Sequence, residues 1–271
     1  MSPRVFGELV HEVLRRSVNR LEPDPGYNRA THDQLDAALV RAAEAIQAQW
    51  PLERSIPPPL LWTHTLSEAV RLARHALRLD QTVQEGTRCW TEVPFGQREP
   101  FTQGGPWDPM VPVTIPNTSV RISGRIDRLD LRFDGKKVRV SDYKTGAEPE
   151  DADTIVLGGG TEVQRVIYAI AVRELLPQVP SVQARLVYLR NDPPRAYALR
   201  SVDEAVATIS DHVRAACDLL RQGRGLASMA ERKAGDEFRL LLPADLDGYL
   251  RIKRASFTRT FGNYSRVWRA P

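Results

Sequence analysis

The sequence has few cysteines and no long hydrophobic run. Only two of its 271 residues are cysteines, Cys89 and Cys217. Two thiols far apart in sequence cannot form a disulfide framework or provide the four ligands of an iron–sulfur cluster within the chain. No apolar run approaches the roughly 20 residues that cross a bilayer, and the amphipathic N-terminal segment is unlike a signal peptide. We therefore expect a reduced, cytoplasmic protein with no membrane partner.

A second absence concerns nucleotide binding. The chain has no Gly-x-x-x-x-Gly-Lys-[Ser/Thr] phosphate loop, which excludes an ATP-driven motor of the P-loop type within it. Its 38 basic and 34 acidic residues give a net charge of +4, a mild excess that permits a polyanionic partner without requiring one. The hydrophobic fraction of 42% is ordinary for a globular protein with a real core.

Hydrophobic periodicity predicts a helical N-terminal region followed by an α/β region. Apolar residues recur at helical spacing over about 3–19, 33–50 and 65–85. After Thr87 the pattern changes to β-branched and alternating runs, with a Pro/Gly-rich surface loop at about 101–116. We expect strands at about 91–95, 120–131, 137–143, 184–190 and 195–199, and helices at about 162–176 and 202–221.

This order of elements is typical of an α/β fold with a central mixed sheet flanked by helices, preceded by an N-terminal helical region. We interpret residues 1–271 as a single domain. Its parts are a mostly helical region at 1–86, a core at 87–222 and a basic C-terminal extension at 223–271.

Two strand-like runs end on residues that carry chemistry. The run Ile122-Ser123-Gly124-Arg125-Ile126-Asp127 is followed by Val140-Ser141-Asp142-Tyr143-Lys144-Thr145-Gly146. Asp142 and Lys144 are two apart, so on a strand they point to the same face. Carboxylate oxygens bind Mg²⁺, and Lys144 can orient or deprotonate an attacking water. Taken alone, however, two aspartates and a lysine near a hairpin are more often a solvated strand end.

Further motifs in the sequence support a functional interpretation of Asp127, Asp142 and Lys144. Gly124-Arg125-Ile126-Asp127 with Asp142-Tyr143-Lys144-Thr145-Gly146 resembles the paired core motifs of RecB-like PD-(D/E)XK nucleases. Gln164-Arg165-Val166-Ile167-Tyr168 is similar to that family's Gln-x-x-x-Tyr helix motif, and the segment from Phe6 to Leu14 is similar to its Gly-x-x-x-His-x-x-Leu helix. Four motifs in the family's order cover His11 to Tyr168, well over half of the chain.

The resemblance implies a role for each matching residue. His11 and Asp127 would bind divalent ions, Asp142 would be shared between two of them, and the Tyr143 carbonyl would complete the shell. Lys144 would be the catalytic lysine, acting with Asp127 and Asp142. Gln164 and Tyr168 would orient the DNA strand, and Arg125 is a further candidate DNA contact. Glu92 matches an acidic position common in the family and is a secondary candidate near the metals.

Some of these residues also have a plain structural interpretation. A single histidine on a helix among leucine and valine is usually a packed, hydrogen-bonded residue, and this alternative stays open for His11. By themselves, Gln164 and Tyr168 would more often be a surface and a core residue.

At the level of function, the resemblance implies a metal-dependent DNA nuclease with a restriction-endonuclease-like core. Mg²⁺ or Mn²⁺ would be the cofactor, in a two-metal site, and phosphodiester hydrolysis the reaction. Exonuclease or end-processing action in recombination, repair or defence is implied, with DNA and a separate helicase as partners. Several relatives carry an iron–sulfur cluster, whose cysteine positions this chain lacks.

The C-terminal extension is basic from Arg251 onward. Lys253, Arg254 and Arg259 are candidate phosphate contacts, because backbone contacts depend on charge and need no sequence readout. Aromatic residues at helical spacing in the same segment favour packing on the core: Phe257, Phe261, Tyr264 and Trp268.

Three alternative functions remain at this stage. A CRISPR-adaptation nuclease shares the motifs but usually carries the missing cysteine cluster. A catalytically silent DNA-binding subunit would keep the fold, although the intact Asp127, Asp142 and Lys144 argue against it. The chain could also be a nuclease module of a larger helicase–nuclease.

Overall fold

The N-terminal region consists of three helices, as the sequence predicts. In the computed structural model they are α1 (Pro3–Leu21), α2 (His32–Glu53) and α3 (Pro59–Gln81). Ser2 caps α1, and Thr31 begins a capping box at the start of α2. Helix α3 begins earlier than predicted, at Pro59, because proline is well suited to the first turn of a helix. The structure describes residues 1–81, 86–97, 104–160, 162–223, 245, 248–249 and 251–253.

The second region is built on a sheet. The strands are β1 (Thr87–Phe95), β2 (Val113–Thr114), β3 (Arg121–Ile122), β4 (Gly124–Arg132), β5 (Lys137–Lys144), β6 (Ser181–Tyr188) and β7 (Arg195–Ala198). In the described part of this region, the helices are α4 (Gln164–Leu175) and α5 (Val202–Arg221). Five of the strands form one sheet in the order β1-β4-β5-β6-β7.

The sheet is mixed. Strands β5 and β6 run parallel, whereas β1–β4, β4–β5 and β6–β7 are antiparallel pairs. A parallel pair needs a crossover connection, and α4 lies between β5 and β6 in the chain. The prediction of a central mixed sheet flanked by helices, with an N-terminal helical region, is confirmed.

Two separate cores cover the two faces of this sheet. On one face, α1, α2 and α3 bury a cluster that includes Cys89, Tyr143 and Val187 from the strands. On the other face, α4 and α5 pack against residues such as Ile126 and Val140. Tyr143 thus points toward the N-terminal helices, and its neighbour Asp142 lies on the opposite side of β5. No helix in the described part of the chain is long and apolar enough to cross a membrane.

One predicted strand and one predicted loop are corrected. The run predicted at 120–131 is two strands, β3 and β4, divided at Ser123, and the loop predicted at 101–116 contains β2, which pairs with β3. The backbones of two neighbouring strands approach closely at this bend. Gly96 has φ +60°, and a Cβ there would overlap the Ile122 carbonyl oxygen, while a Cβ on Gly124 would lie 2.8 Å from the Phe95 ring. Glycine therefore allows the bend.

Candidate metal and catalytic site

Two acidic residues oppose each other across β1 and β4. Thr91 pairs with Arg128 and Val93 pairs with Ile126, so Glu92 and Asp127 occupy the opposed positions between these pairs. Glu92 has φ 54°, a left-handed conformation that is uncommon for residues other than glycine. Such a conformation persists where the surrounding structure enforces it, and it is frequent at functional sites.

His11 of α1 joins the two carboxylates. Its Nδ1 lies 3.5 Å from Glu92 Oε1 and 3.7 Å from Asp127 Oδ1, and its Nε2 lies 3.2 Å from the carbonyl oxygen of Tyr143. One ligand atom from each of His11, Glu92 and Asp127 can be chosen so that all three lie within 4.8 Å of one another. Two carboxylates and an imidazole are a donor set that fits a divalent cation such as Mn²⁺ or Mg²⁺.

The three side chains perturb one another's ionisation. Burial disfavours the protonated imidazole of His11, but the charges of Asp127 and Glu92 outweigh it and raise the pKa of His11 to about 10. Burial, with the nearby Asp142 and Glu92 carboxylates, raises the pKa of Asp127 to about 7, although His11 opposes this rise. Without a cation, the cluster therefore retains a proton on His11 at neutral pH.

The end of β5 carries the second polar group. Lys144 Nζ lies 2.8 Å from Asp142 Oδ2, which confirms that the two side chains share a face of the strand. Asp142 is buried and Lys144 is about three-quarters buried. Burial lowers the pKa of Lys144, but Asp142 and Glu162 outweigh it and the net shift is upward. Lys144 is accordingly an ammonium ion at neutral pH.

Helix α4 connects the two groups. Gln164 and Tyr168 lie one turn apart on the same helix face, because residues four apart are neighbours on a helix. The Gln164 Oε1 accepts a hydrogen bond from Lys144 Nζ, and the Tyr168 hydroxyl donates to Asp127 Oδ1 at 3.3 Å. The other Asp127 oxygen accepts from the Tyr143 backbone N–H at 2.9 Å. Buried Tyr168 is also a core residue, since its ring packs on Phe95.

The remaining predicted DNA contacts differ in where they lie. Arg125 is exposed, and its Nη1 lies 3.9 Å from Glu92 Oε2. Both residues line a cavity of about 330 Å³, which His11 also lines. Lys253 is exposed, whereas Arg254 and Arg259 lie outside the described residues. The same is true of the predicted aromatic face of the extension: Phe257, Phe261, Tyr264 and Trp268.

The structure adds two residues that the sequence pattern did not single out. Glu162, in the segment before α4, lies 3.3 Å from Lys144 Nζ through its Oε2. Its only sequence signal is an acid two residues before Gln164. Arg128 is fully buried behind the site, where it pairs with Asp130 at 2.8 Å and donates to the Tyr143 hydroxyl at 3.3 Å. An arginine and an aspartate at alternate positions of one strand were a signal that they share a face.

Comparison with known proteins agrees with this geometry. The model of the PD-(D/E)XK nuclease superfamily matches residues 1–239. An ATP-dependent helicase/deoxyribonuclease subunit from Ruminiclostridium cellulolyticum is 30% identical over 131 residues, which are 46% of this chain and 11% of that protein. The corresponding protein from Geobacillus kaustophilus is 25% identical over 254 residues, 89% of this chain and 21% of that protein.

The chain thus spans only 11% and 21% of the length of these two relatives. The family match, by contrast, extends over most of the chain and includes all the side chains at the ends of β4 and β5 described above. With its mixed sheet flanked by helices, the chain belongs to the PD-(D/E)XK nuclease superfamily and has its restriction-endonuclease-like fold.

Proposed function

We propose that this chain is a metal-dependent deoxyribonuclease that hydrolyses phosphodiester bonds. One observation carries the proposal: the ligand group of His11, Glu92 and Asp127 lies beside the pair Asp142 and Lys144, and the backbone of Tyr143 connects them. A group of metal ligands without a neighbouring ammonium would suit many reactions. A metal-ligand group beside a partly buried ammonium suits a substrate whose negative charge increases during the reaction, as at a phosphodiester.

The first group of residues has a proposed role in metal binding. His11, Glu92 and Asp127 would hold the cation, with Asp142 and the Tyr143 carbonyl as the further ligands that the resemblance implies. Mg²⁺ or Mn²⁺, when bound, polarises a phosphoryl oxygen and lowers the pKa of a coordinated water. The two-metal arrangement with a shared Asp142 is part of this proposal.

Lys144 and α4 would act on the substrate itself. An ammonium that keeps its proton at neutral pH stabilises charge on the phosphate and orients a water, so we assign Lys144 these tasks and not proton abstraction. Gln164 and Tyr168 contact Lys144 and Asp127 in the free protein, and in the complex we expect them to orient the DNA strand. Exposed Arg125 would contact a phosphate near Glu92.

The biological setting is also a proposal. The two relatives are named as subunits of ATP-dependent helicase/deoxyribonucleases, and we infer that this chain processes DNA ends in recombination, repair or defence beside a helicase. The sequence contains no phosphate loop of the P-loop type, so the motor activity would come from outside these 271 residues. Cleavage by the chain alone should accordingly be independent of ATP.

The test uses end-labelled linear DNA and closed-circular DNA, each with Mg²⁺, Mn²⁺ or EDTA. Cleavage should require a divalent ion, and loss of linear but not circular DNA would identify an exonuclease. Asp142→Ala and Lys144→Ala should abolish cleavage and leave the fold intact, whereas Lys136→Ala, on the exposed β4–β5 turn, should cut like the parent. If either site variant cuts as fast as the parent, the assigned site is wrong. Binding without cleavage by the parent would support a silent DNA-binding role instead.

A further inference from the structure

The ammonium group of Lys144 is surrounded by three side-chain oxygens. Asp142 Oδ2 lies at 2.8 Å, Glu162 Oε2 at 3.3 Å, and Gln164 Oε1 accepts a hydrogen bond. Asp142 belongs to the same strand as Lys144, whereas Glu162 lies in the segment before α4 and Gln164 is the first residue of that helix. The lysine is thus held from two independent elements, and one of its partners, Glu162, has no role in the proposed reaction so far.

The position of Glu162 has no ordinary explanation in helix stability. A carboxylate just before a helix usually caps the first backbone N–H groups or interacts with the helix dipole. Here the N-cap is Val163, and Glu162 directs its Oε2 to Lys144 instead. Its Oε1 is buried and has no hydrogen-bond partner among the residues that the structure describes. A buried carboxylate oxygen without a hydrogen-bond partner costs free energy.

The backbone fixes Glu162 in this position. Its N–H donates to the Leu157 carbonyl oxygen at 3.1 Å, and the N–H of Gly160 donates to the same oxygen at 2.8 Å. Leu157 is itself buried in the core under α4. The carboxylate of Glu162 is therefore presented by a segment anchored in the core, which is what a positioning residue requires.

We propose that Glu162 is a positioning residue that holds the Lys144 ammonium at the site of phosphodiester cleavage. The inference rests on the proposed function. If Asp142 binds a cation, its negative charge is shared between the cation and Lys144, and its hold on the lysine weakens. Glu162 lies outside the ligand group of His11, Glu92 and Asp127, so its charge remains available to Lys144.

Selective chemical labelling tests this contact without DNA or metal. The chain has only five lysines, so the reaction of each amine with an acetylating reagent can be followed by mass spectrometry. With EDTA present, Lys144 should react more slowly than exposed Lys136 in the parent. Glu162→Gln should raise the Lys144 rate severalfold, because one charged partner is lost. Glu150→Gln, an exposed glutamate on the same β5–α4 connection, should leave it unchanged.

Steady-state cleavage supplies the second readout. Glu162→Gln should lower kcat by about ten- to hundredfold, the usual cost of a misplaced catalytic group, while KM stays near that of the parent. Glu162→Asp keeps the negative charge and should recover part of the loss in kcat. This variant also tests the proposal if Glu162→Gln does not fold. Glu150→Gln should match the parent in both constants.

The outcomes separate the two proposals. Unchanged Lys144 labelling in folded Glu162→Gln overturns the contact, and faster labelling with unchanged kcat overturns its catalytic importance. A loss of kcat matched by an equal loss of folded protein in both Glu162 variants would show a merely structural role. A parent that does not cleave DNA contradicts the proposed function, yet the labelling rates still decide whether Glu162 holds Lys144.

Discussion

Metal binding should depend steeply on pH, because His11 holds a proton that a cation must displace. The pKa of His11 is raised from 6.5 to about 10, so the imidazole is protonated at every pH well below 10 in the metal-free protein. A ligand histidine must be neutral. Each pH unit below the pKa divides the neutral fraction by about ten, so affinity for Mn²⁺ should rise about tenfold per unit between pH 7 and 8.5.

At lower pH, Asp127 holds a second proton that a cation must displace. Its pKa is raised to about 7, so below pH 7 a cation must displace a proton from this carboxylate as well. The dependence should then steepen toward about a hundredfold per unit. The sign is the same for both groups: a pKa raised in the free protein means that acid competes with the metal.

Isothermal titration calorimetry with Mn²⁺ measures both the affinity and the protons released, if buffers of different ionisation enthalpy are compared. About one proton should leave per ion at pH 8, and closer to two at pH 6. His11→Ala should bind more weakly, whereas His64→Ala, at an exposed position of α3, should behave as the parent. Equal affinity at pH 7 and 8.5, with no proton release, would refute the assignment of His11 as a ligand.

Two further predictions concern the core and the extension. Asp130→Ala leaves buried Arg128 without its carboxylate and should lower the free energy of unfolding by about 3–5 kcal/mol in urea denaturation, while Arg128→Met with Asp130→Leu should recover most of it. A double variant as unstable as the single one would contradict this. Removing the charges of Lys253, Arg254 and Arg259 should reduce the slope of log affinity for duplex DNA against log salt concentration by about 0.9 per lost phosphate contact. An unchanged slope would exclude a role in DNA binding for these three residues.

Local sequence patterns were sufficient for most of the fold. The helical spacing of apolar residues located α1, α2 and α5, and alternating β-branched runs located β4 and β5. The division at Ser123 was not predictable in this way, because the run at 120–131 is β-branched and alternating on both sides of it. The bend arises from close approach of Gly96 and Gly124 to a neighbouring strand, a tertiary contact that no single run of residues reveals.

The candidate site shows the same limit. Asp142 and Lys144 could be placed together because a strand repeats every two residues, and Gln164 and Tyr168 because a helix repeats every three to four. The meeting of His11 with Glu92 and Asp127 depends on how α1 packs on the sheet and on the left-handed backbone of Glu92, and neither has a local signal. The motif resemblance anticipated His11 and Asp127, while their distances to Glu92 come from the structure.

Tyr143 shows why the N-terminal helices belong to the site. Its side chain is buried among those helices, where its hydroxyl accepts a hydrogen bond from Arg128. Its backbone N–H donates to Asp127, and its carbonyl oxygen faces His11 of α1. Any displacement of α1 would therefore move His11 away from Asp127 and also disturb the packing that fixes Tyr143. The helical region and the sheet thus form the proposed metal site jointly, since α1 provides one proposed ligand and helps to fix β5, which carries Asp142 and Tyr143.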